Sequence, residues 1–288
     1  MADIKEIERS IIKTYRKELW AKFVHAIDEY QLLKEHDRVC ICISGGKDSM
    51  ILAKLFQELH RHSEYEFEIK FLLMDPGYSQ KHLDLIHENL KKLEIPATIV
   101  QSDIFEVANK QEKNPCYLCA RMRRGFLYQK AQELGCNKIA LGHHYDDVIE
   151  TTLMNMLNSG SFQTMVPKLH STNFEGMELI RPMYLIREKD IIKWANHNEL
   201  KFINCACKFT ENYYTKPDIV GSKRYETKQL IASLLKNNPL VEQNIFMSAH
   251  NVNLDMIVGY KQDGIDHNFC DEYEKRKPKG KTDAENIR

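Results

Sequence analysis

The stretch from Arg38 to Ser49 constrains the fold more than any other part of the chain. Arg38-Val39-Cys40-Ile41-Cys42-Ile43 is a short apolar run rich in β-branched residues, typical of a buried parallel strand. It leads directly into Ser44-Gly45-Gly46-Lys47-Asp48-Ser49, and a helical pattern follows at once. A strand, a glycine turn and a helix start form the unit from which doubly wound α/β sheets are built.

The same alternation of strand and helix recurs along the chain. Further strands are predicted at Phe67–Met74, Ala97–Val100, Lys138–Leu141 and near Glu178–Arg181. Helices are predicted at about Lys81–Leu93, Cys119–Leu134, Val148–Leu157 and Glu188–Asn198, with a loop at Asn109–Pro115. The pattern therefore predicts an α/β fold with a doubly wound parallel sheet. In such sheets, ligands bind beyond the carboxyl ends of the strands.

The chain is expected to divide into three segments. Residues 1–36 form an N-terminal helical segment, since apolar residues recur at helical spacing from about Ile4 to Leu33. Residues 37–235 form the sheet domain with any metal site. Residues 236–288 form a small C-terminal helical extension, and its basic end, Lys275 to Lys281, is expected to be disordered.

Composition narrows the function classes. No apolar run approaches the ~20 residues of a membrane span, and the N-terminus lacks a signal-peptide pattern, so we expect a cytoplasmic protein without membrane contact. Lys plus Arg and Asp plus Glu number 41 each, which argues against a broadly basic coat protein but allows local basic patches. Eight cysteines in a reducing compartment favour metal binding, sulfur chemistry or burial over disulfides.

The loop Ser44–Ser49 is predicted to bind phosphates. Backbone N–H groups and the positive helix end converge there, and Gly45 and Gly46 allow close approach of an anion. Lys47 adds a cation, the hydroxyls of Ser44 and Ser49 can donate hydrogen bonds, and Asp48 can hold a Mg²⁺ ion that bridges phosphates. The spacing differs from that of the P-loop NTPases and from the dinucleotide-binding fingerprint.

This hexapeptide resembles the PP-loop of the ATP pyrophosphatase superfamily, whose members cleave ATP between the α- and β-phosphates and adenylate a substrate. Gly142-His143-His144-Tyr145-Asp146-Asp147 is similar to the Gly-His-x-x-Asp-Asp motif of the tRNA-modifying branch. The resemblance implies catalytic roles for Lys47, Asp48, His143 and Asp146. It implies ATP binding by Ser44, Gly45, Gly46, Lys47, Asp48, Ser49, Met74, Gly142 and Asp147. An Asp pair after a strand also commonly caps the next helix, and both interpretations can hold together.

The cysteines divide into two groups. Cys116-Tyr117-Leu118-Cys119 has the spacing with which two thiolates bind one metal ion or cluster, and Cys205-Ala206-Cys207 can complete the set. Cys40 and Cys42 lie two apart on one strand face and are expected in the core.

The stretch Cys116 to Gly125, together with Lys138 to Asp147 and Arg181 to Asp190, resembles the tRNA 2-thiocytidine synthetase family. In that family three cysteines hold a [4Fe–4S] cluster and leave one iron free to carry sulfur. Cys116 and Cys119 match two of these ligands. The third comes from a later Cys-x-x-Cys, which is Cys-x-Cys here, so Cys207 or Cys205 is the candidate. A closed zinc site of four thiolates is the alternative.

The resemblance implies a tRNA partner and a sulfur donor, either a cysteine desulfurase persulfide or free sulfide. Arg121, Arg123, Arg124 and Arg224 are the predicted RNA-binding residues. The modified base, an anticodon-loop cytidine, follows from the family alone, and because some members dimerise, a homodimer stays open. The alternatives are another adenylating PP-loop enzyme, such as a ligase, amidotransferase or lysidine synthetase, or a zinc-containing RNA-binding protein.

Overall fold

The computed structural model describes residues 3–109, 115–203 and 223–273. Its main sheet has six strands in the order β3-β2-β1-β4-β6-β5. They are β1 (Arg38–Ile43), β2 (Glu68–Asp75), β3 (Ala97–Gln101), β4 (Lys138–Ala140), β5 (Lys168–His170) and β6 (Glu178–Ile180). Neighbouring strands are parallel except β5 and β6, which are antiparallel. The predicted α/β fold on a parallel sheet is therefore confirmed.

Helices connect and flank these strands. They are α1 (Ile4–Arg9), α2 (Ala21–Glu29), α3 (Lys47–His62), α4 (Gln80–Lys92), α5 (Ile104–Asn109), α6 (Pro115–Glu133), α7 (Tyr145–Ser159), α8 (Glu188–His197), α9 (Lys223–Leu235), α10 (Val241–Ser248) and α11 (Phe269–Tyr273). None of those in the described residues has the length and apolar character of a bilayer-spanning segment.

The central strand β1 is buried on both faces, which explains its unbroken apolar sequence. Val39 and Ile41 pack into the larger core cluster on one face of the sheet. Cys40 and Cys42 point to the other face and pack against Ile139 and neighbouring apolar residues. The expectation that these two cysteines lie in the core is confirmed.

The N-terminal helical segment runs from Ile4 to Glu29 but is not a regular α-helix. Two π-helical turns, Ser10–Thr14 and Arg16–Trp20, interrupt it. Its buried apolar residues are spaced mainly by four, as in Leu19, Phe23 and Ile27. An α-helix has 3.6 residues per turn, so side chains spaced by four move gradually away from one face of it. The π-helical turns contain more residues per turn and bring these side chains back to the face that meets the sheet domain.

The structure differs from the sequence prediction at several element boundaries. Helix α6 begins at Pro115 rather than Cys119, because proline is well suited to the first helical position. The edge strand β5 was not predicted, since its three half-buried or exposed residues carry no alternating pattern. The C-terminal segment contains not only helices but also a hairpin of β7 (Gly259–Gln262) and β8 (Ile265–Asn268). The basic tail lies outside the described residues.

Candidate functional site

Two loops predicted from the sequence meet at the carboxyl ends of neighbouring strands. Strand β1 pairs in parallel with β4, so the loop after Ile43 and the loop after Ala140 leave the same edge of the sheet. The two loops are in close contact: a Cβ atom on Gly142 would lie 3.1 Å from the carbonyl carbon and oxygen of Asp48. Only glycine allows this approach without a shift of the backbone.

Local geometry explains the Ser-Gly-Gly sequence of the first loop. Gly45 has φ of +83°, and a Cβ there would lie 2.6 Å from Ile86 Cγ1. Gly46 is the N-cap of α3, and the Ser49 hydroxyl donates to its carbonyl oxygen at 2.9 Å. The Ser44 backbone N–H donates to Ser49 Oγ at 3.1 Å. These bonds close the loop around the start of α3, whose first N–H groups are available to an anion.

A cavity of about 360 Å³ opens between the two loops and helix α6. Nine predicted site residues line it: Ser44, Asp48, Ser49, Met74, Arg123, Arg124, Gly142, His143 and Asp147. The remaining lining residues are Cys42, Ile43, Ala120, Leu127, Ile139 and Leu141. The cavity thus has an apolar part, suited to a base, beside a polar part, suited to phosphates. The predicted Gly45, Gly46, Lys47, Asp146, Arg121 and Arg224 do not line it.

Two polar atoms of this cavity have no hydrogen-bond partner among the described residues. They are the buried Oδ1 of Asp48 and Nδ1 of His143. Burial raises the pKa of Asp48, although the charges of Lys47 and His144 oppose this effect. Burial lowers the pKa of His143 to about 4, so this imidazole is neutral near pH 7. Buried polar atoms left without partners favour a bound ligand as the missing partner.

The two aspartates of the second motif have different surroundings. Asp147 lines the cavity, accepts a hydrogen bond from the His144 backbone N–H at 3.0 Å and so caps helix α7. Arg224 Nη1 lies 2.9 Å from Asp147 Oδ1. Burial raises the pKa of Asp147, but His144, His143 and Arg224 outweigh it and lower the pKa overall. Asp147 thus caps α7, as one interpretation of the motif predicts, and it also lines the cavity, where nucleotide binding by this residue stays a prediction.

Asp146 points away from the cavity. Its carboxylate accepts the Glu188 backbone N–H at 2.7 Å and pairs with Arg187 Nη2 at 3.0 Å. Arg187 in turn pairs with Glu242 Oε1 at 2.6 Å. Asp146 therefore ties the start of α8 to α7, and the geometry favours Asp147 as the aspartate that faces a nucleotide. A catalytic role for Asp146 stays a prediction.

Lys47 lies at the first position of α3. Its Nζ is 3.1 Å from Asp48 Oδ2 and 3.0 Å from Glu188 Oε1. Burial acts to lower the pKa of Lys47, but the Asp48 and Glu188 charges outweigh it and raise the pKa. The ammonium is therefore charged and held at the start of α3, within the phosphate-binding loop.

The donor set for Mg²⁺ fits at this site. Mg²⁺ binds through one or two carboxylates together with substrate phosphates and water. Asp48, with its unpartnered buried oxygen, and Asp147 provide two carboxylates beside the phosphate-binding loop. Bound there, the ion would neutralise phosphate charge.

Helix α6, which carries the cysteine motif, also borders this cavity. Cys116 and Cys119 lie among its first five residues, and Ala120, Arg123 and Arg124, which follow them, line the cavity. Cys205 and Cys207 lie outside the described residues. Within the described residues, no group of three His, Cys, Asp or Glu side chains could hold a metal ion. Two cysteines at this spacing suit one metal ion or cluster, and a complete site would need further ligands from other parts of the chain.

Sequence reasoning missed three residues that surround this site. His144 is buried, with Nε2 3.8 Å from Asp48 Oδ1. Arg181 is buried, and burial together with the Arg124 charge lowers its pKa to about 10. Glu188 pairs with Lys47, with Oε1 3.0 Å from Nζ. The signal for Glu188 was its position at a predicted helix start next to a basic residue, which is too common to single out a site.

Replacing Gly142 with alanine is expected to disturb this site. The added Cβ would press on the Asp48 backbone at 3.1 Å and push the two loops apart. We expect a loss of about 1–3 kcal/mol in unfolding free energy and weaker ATP binding. Thermal unfolding and nucleotide titration measure both. Gly125→Ala in α6, where a Cβ meets nothing within 4 Å, is the matched control. Equal behaviour of the two variants would contradict the close approach.

Comparison with known proteins gives consistent results. Residues 14–216 match the model of the PP-loop domain family. The tRNA-cytidine(32) 2-sulfurtransferase of Citrifermentans bemidjiense is 33% identical over 79% of this chain and 87% of its own length. The enzyme of the same name from Coxiella burnetii is 34% identical over 86% of this chain and 91% of its own. The U34-tRNA thiolase NcsA from Methanococcus maripaludis, solved with its [4Fe-4S] cluster, superposes with a TM-score of 0.60 at 25% identity, covering 86% of this chain and 77% of NcsA.

Proposed function

The chain belongs to the PP-loop domain family and, within it, to the tRNA-cytidine(32) 2-sulfurtransferase family, and from this premise we propose that it thiolates a tRNA cytidine to 2-thiocytidine in two steps. ATP first adenylates the base, and a sulfur atom then replaces the activated oxygen. The relatives' name supports cytidine 32, in the anticodon loop, as the target.

One observation carries this proposal. The phosphate-binding loop, the aspartate motif and helix α6, which carries Cys116-x-x-Cys119 near its start, all border a single cavity. An enzyme that only adenylates a small acid has no use for the cysteines and arginines of that helix. A zinc-containing RNA-binding protein has no use for Lys47 and Asp48. Both sets around one cavity support activation and sulfur transfer at the same base.

In the first step, the O2 oxygen of the cytosine attacks the α-phosphate of ATP, and pyrophosphate leaves. The α3 amides and Lys47 stabilise charge that develops on the phosphates. Asp48 and Asp147 would hold Mg²⁺, which neutralises the same charge. Neutral His143 can offer its unpartnered Nδ1 to a substrate hydrogen bond. The apolar lining by Ile139, Leu141 and Leu127 helps to exclude water, which would otherwise hydrolyse the adenylate.

In the second step, a sulfur nucleophile attacks C2 of the activated base, the C–S bond forms, and AMP leaves with the former base oxygen. Cys116, Cys119 and either Cys207 or Cys205 would hold a [4Fe–4S] cluster, which when bound supplies an iron with an open position for sulfur. Zinc held by four thiolates is the less favoured alternative. The sulfur donor is sulfide, whose attack gives 2-thiocytidine directly, or a persulfide from a cysteine desulfurase, in which case a thiol reductant must then cleave the S–S bond that still joins the carrier to the base.

The proposal is tested by incubating anaerobically purified protein with unmodified tRNA, ATP, Mg²⁺ and sulfide. Nucleosides from digested tRNA are then analysed by mass spectrometry. We expect 2-thiocytidine to form only with ATP, together with AMP and pyrophosphate. Thiolation without ATP consumption, or pyrophosphate release without any sulfur in the tRNA, would contradict the two-step reaction.

Reversing the charges of Arg123 and Arg124 is expected to weaken tRNA binding. Both line the cavity on α6, so an anionic strand that enters it must pass them. The logarithm of the affinity falls linearly with the logarithm of the salt concentration, and each lost phosphate contact makes this slope shallower by about 0.7–0.9. Binding measured at several salt concentrations gives that slope. Lys91→Glu with Lys92→Glu, at the end of α4, reverses the same number of charges elsewhere. An unchanged slope in the Arg123→Glu/Arg124→Glu variant would rule out this contact.

A further inference from the structure

Four charged side chains beside the cavity form an alternating chain. Lys228 of α9 pairs with Glu188 Oε2, and Glu188 Oε1 lies 3.0 Å from Lys47 Nζ. Lys47 Nζ lies 3.1 Å from Asp48 Oδ2, whose other oxygen is the unpartnered one. Each oxygen of Glu188 thus meets a different ammonium group, which fixes the orientation of the carboxylate.

The backbone of Glu188 is fixed as well. It is the first residue of α8, and its N–H donates to Asp146 Oδ2 at 2.7 Å. Asp146 is held in turn by Arg187. The glutamate is therefore anchored to the start of α7 through its main chain and to α9 through its side chain, and it reaches Lys47 across 141 positions of sequence.

We propose that Glu188 is a positioning residue that holds the Lys47 ammonium where phosphate charge develops, and that Asp146 acts through Glu188. This inference rests on the adenylation step of the proposed function. An ammonium has three N–H donors. Glu188 and Asp48 take up two of them in fixed directions, which leaves the third for a phosphate oxygen. Lys47 alone, on a flexible four-carbon side chain, would sample many positions.

Glu188 also limits the pairing of Lys47 with Asp48, which leaves the Asp48 carboxylate available to a cation. If the Glu188 charge were absent, Asp48 would be the remaining carboxylate on Lys47 among the described residues, and the two would pair more closely. That pairing would compete with a cation for the Asp48 carboxylate. Burial acts to raise the pKa of Glu188, but the hydrogen bond from Lys228 and the Lys47 charge lower it to about 2, so this charge persists over the working pH range.

The test compares Glu188→Gln, which keeps the shape and removes the charge, with the wild type. The control is Glu226→Gln, which removes an exposed carboxylate that pairs with Lys223 in α9. Pyrophosphate release with unmodified tRNA gives kcat and the KM for ATP, and thermal unfolding reports stability. We expect kcat in Glu188→Gln to fall about 10- to 100-fold with KM within about 3-fold, since small misplacements of a catalytic group have effects of this size.

A double substitution tests the role of Asp146. If Asp146 acts through Glu188, then Asp146→Asn with Glu188→Gln should lose no more kcat than the worse single variant. If the fold losses in kcat of the two single variants multiply in the double variant, Asp146 does not act through Glu188. A kcat of Glu188→Gln equal to that of Glu226→Gln, or a change in KM alone, would overturn the positioning role. Failure of the proposed function can be told apart from failure of the positioning role, because in that case the wild type itself would release no pyrophosphate.

Discussion

Replacing Asp48 with asparagine is expected to slow ATP-dependent thiolation strongly, while the metal that we propose for the cysteine motif stays in place. Asp48 Oδ1 is buried in the cavity without a hydrogen-bond partner among the described residues, so its proposed partner is the nucleotide's Mg²⁺ ion. Asparagine keeps the shape but offers no negative charge. Loss of one such transition-state interaction slows a reaction by about 10²–10³-fold. Lys47→Ala, which removes the cation at the same phosphates, should show a comparable loss.

The measurement is the rate of pyrophosphate release and 2-thiocytidine formation, with metal content determined on the same samples. Asp84→Asn, an exposed aspartate of α4 that accepts a bond from Gln80, is the control for the chemical change. Thiolation retained at near wild-type rate in Asp48→Asn would mean that this loop does not bind the reacting nucleotide. Loss of the metal as well would point to a folding defect instead.

Replacing Cys116 or Cys119 with serine is expected to have the opposite pattern. Both residues lie among the first five residues of α6, and later residues of this helix line the cavity. A serine hydroxyl is a poor ligand for iron or zinc, so the metal and the thiolation activity should be lost together. ATP binding should persist, because the phosphate-binding loop belongs to other elements. Cys270→Ser, an exposed cysteine of α11, is the control.

Iron, zinc and acid-labile sulfide, with a visible spectrum, are measured on protein purified without oxygen. About four irons and four sulfides per chain in the wild type, lost in both cysteine variants, would support the [4Fe–4S] site. One zinc without sulfide would favour the alternative of four thiolates. Full metal content in both variants would mean that these two cysteines are not ligands. Cys205→Ser and Cys207→Ser identify the third ligand by the same assay.

Much of the fold follows from the sequence because local patterns determine it. The apolar, β-branched run Arg38–Ile43 predicts a buried parallel strand, and the structure places it inside the sheet, between β2 and β4. The glycines after it allow the turn that the loop requires, with Gly45 at φ of +83°. The edge strand Lys168–His170 escaped prediction because so short and exposed a strand depends on its neighbour β6 rather than on its own residues.

The features of the candidate site also separate into those that the sequence determined and those that only the tertiary structure decided. The sequence determined which loops carry the phosphate-binding and aspartate motifs, and that parallel strands bring both to one edge, since these depend on residues near each other in the chain. Only the tertiary structure decided that Asp147 rather than Asp146 lines the cavity, that Arg123 and Arg124 reach it, and that Glu188 holds Lys47. Such pairings join residues far apart in sequence, and their geometry depends on how whole helices pack, which no local pattern encodes.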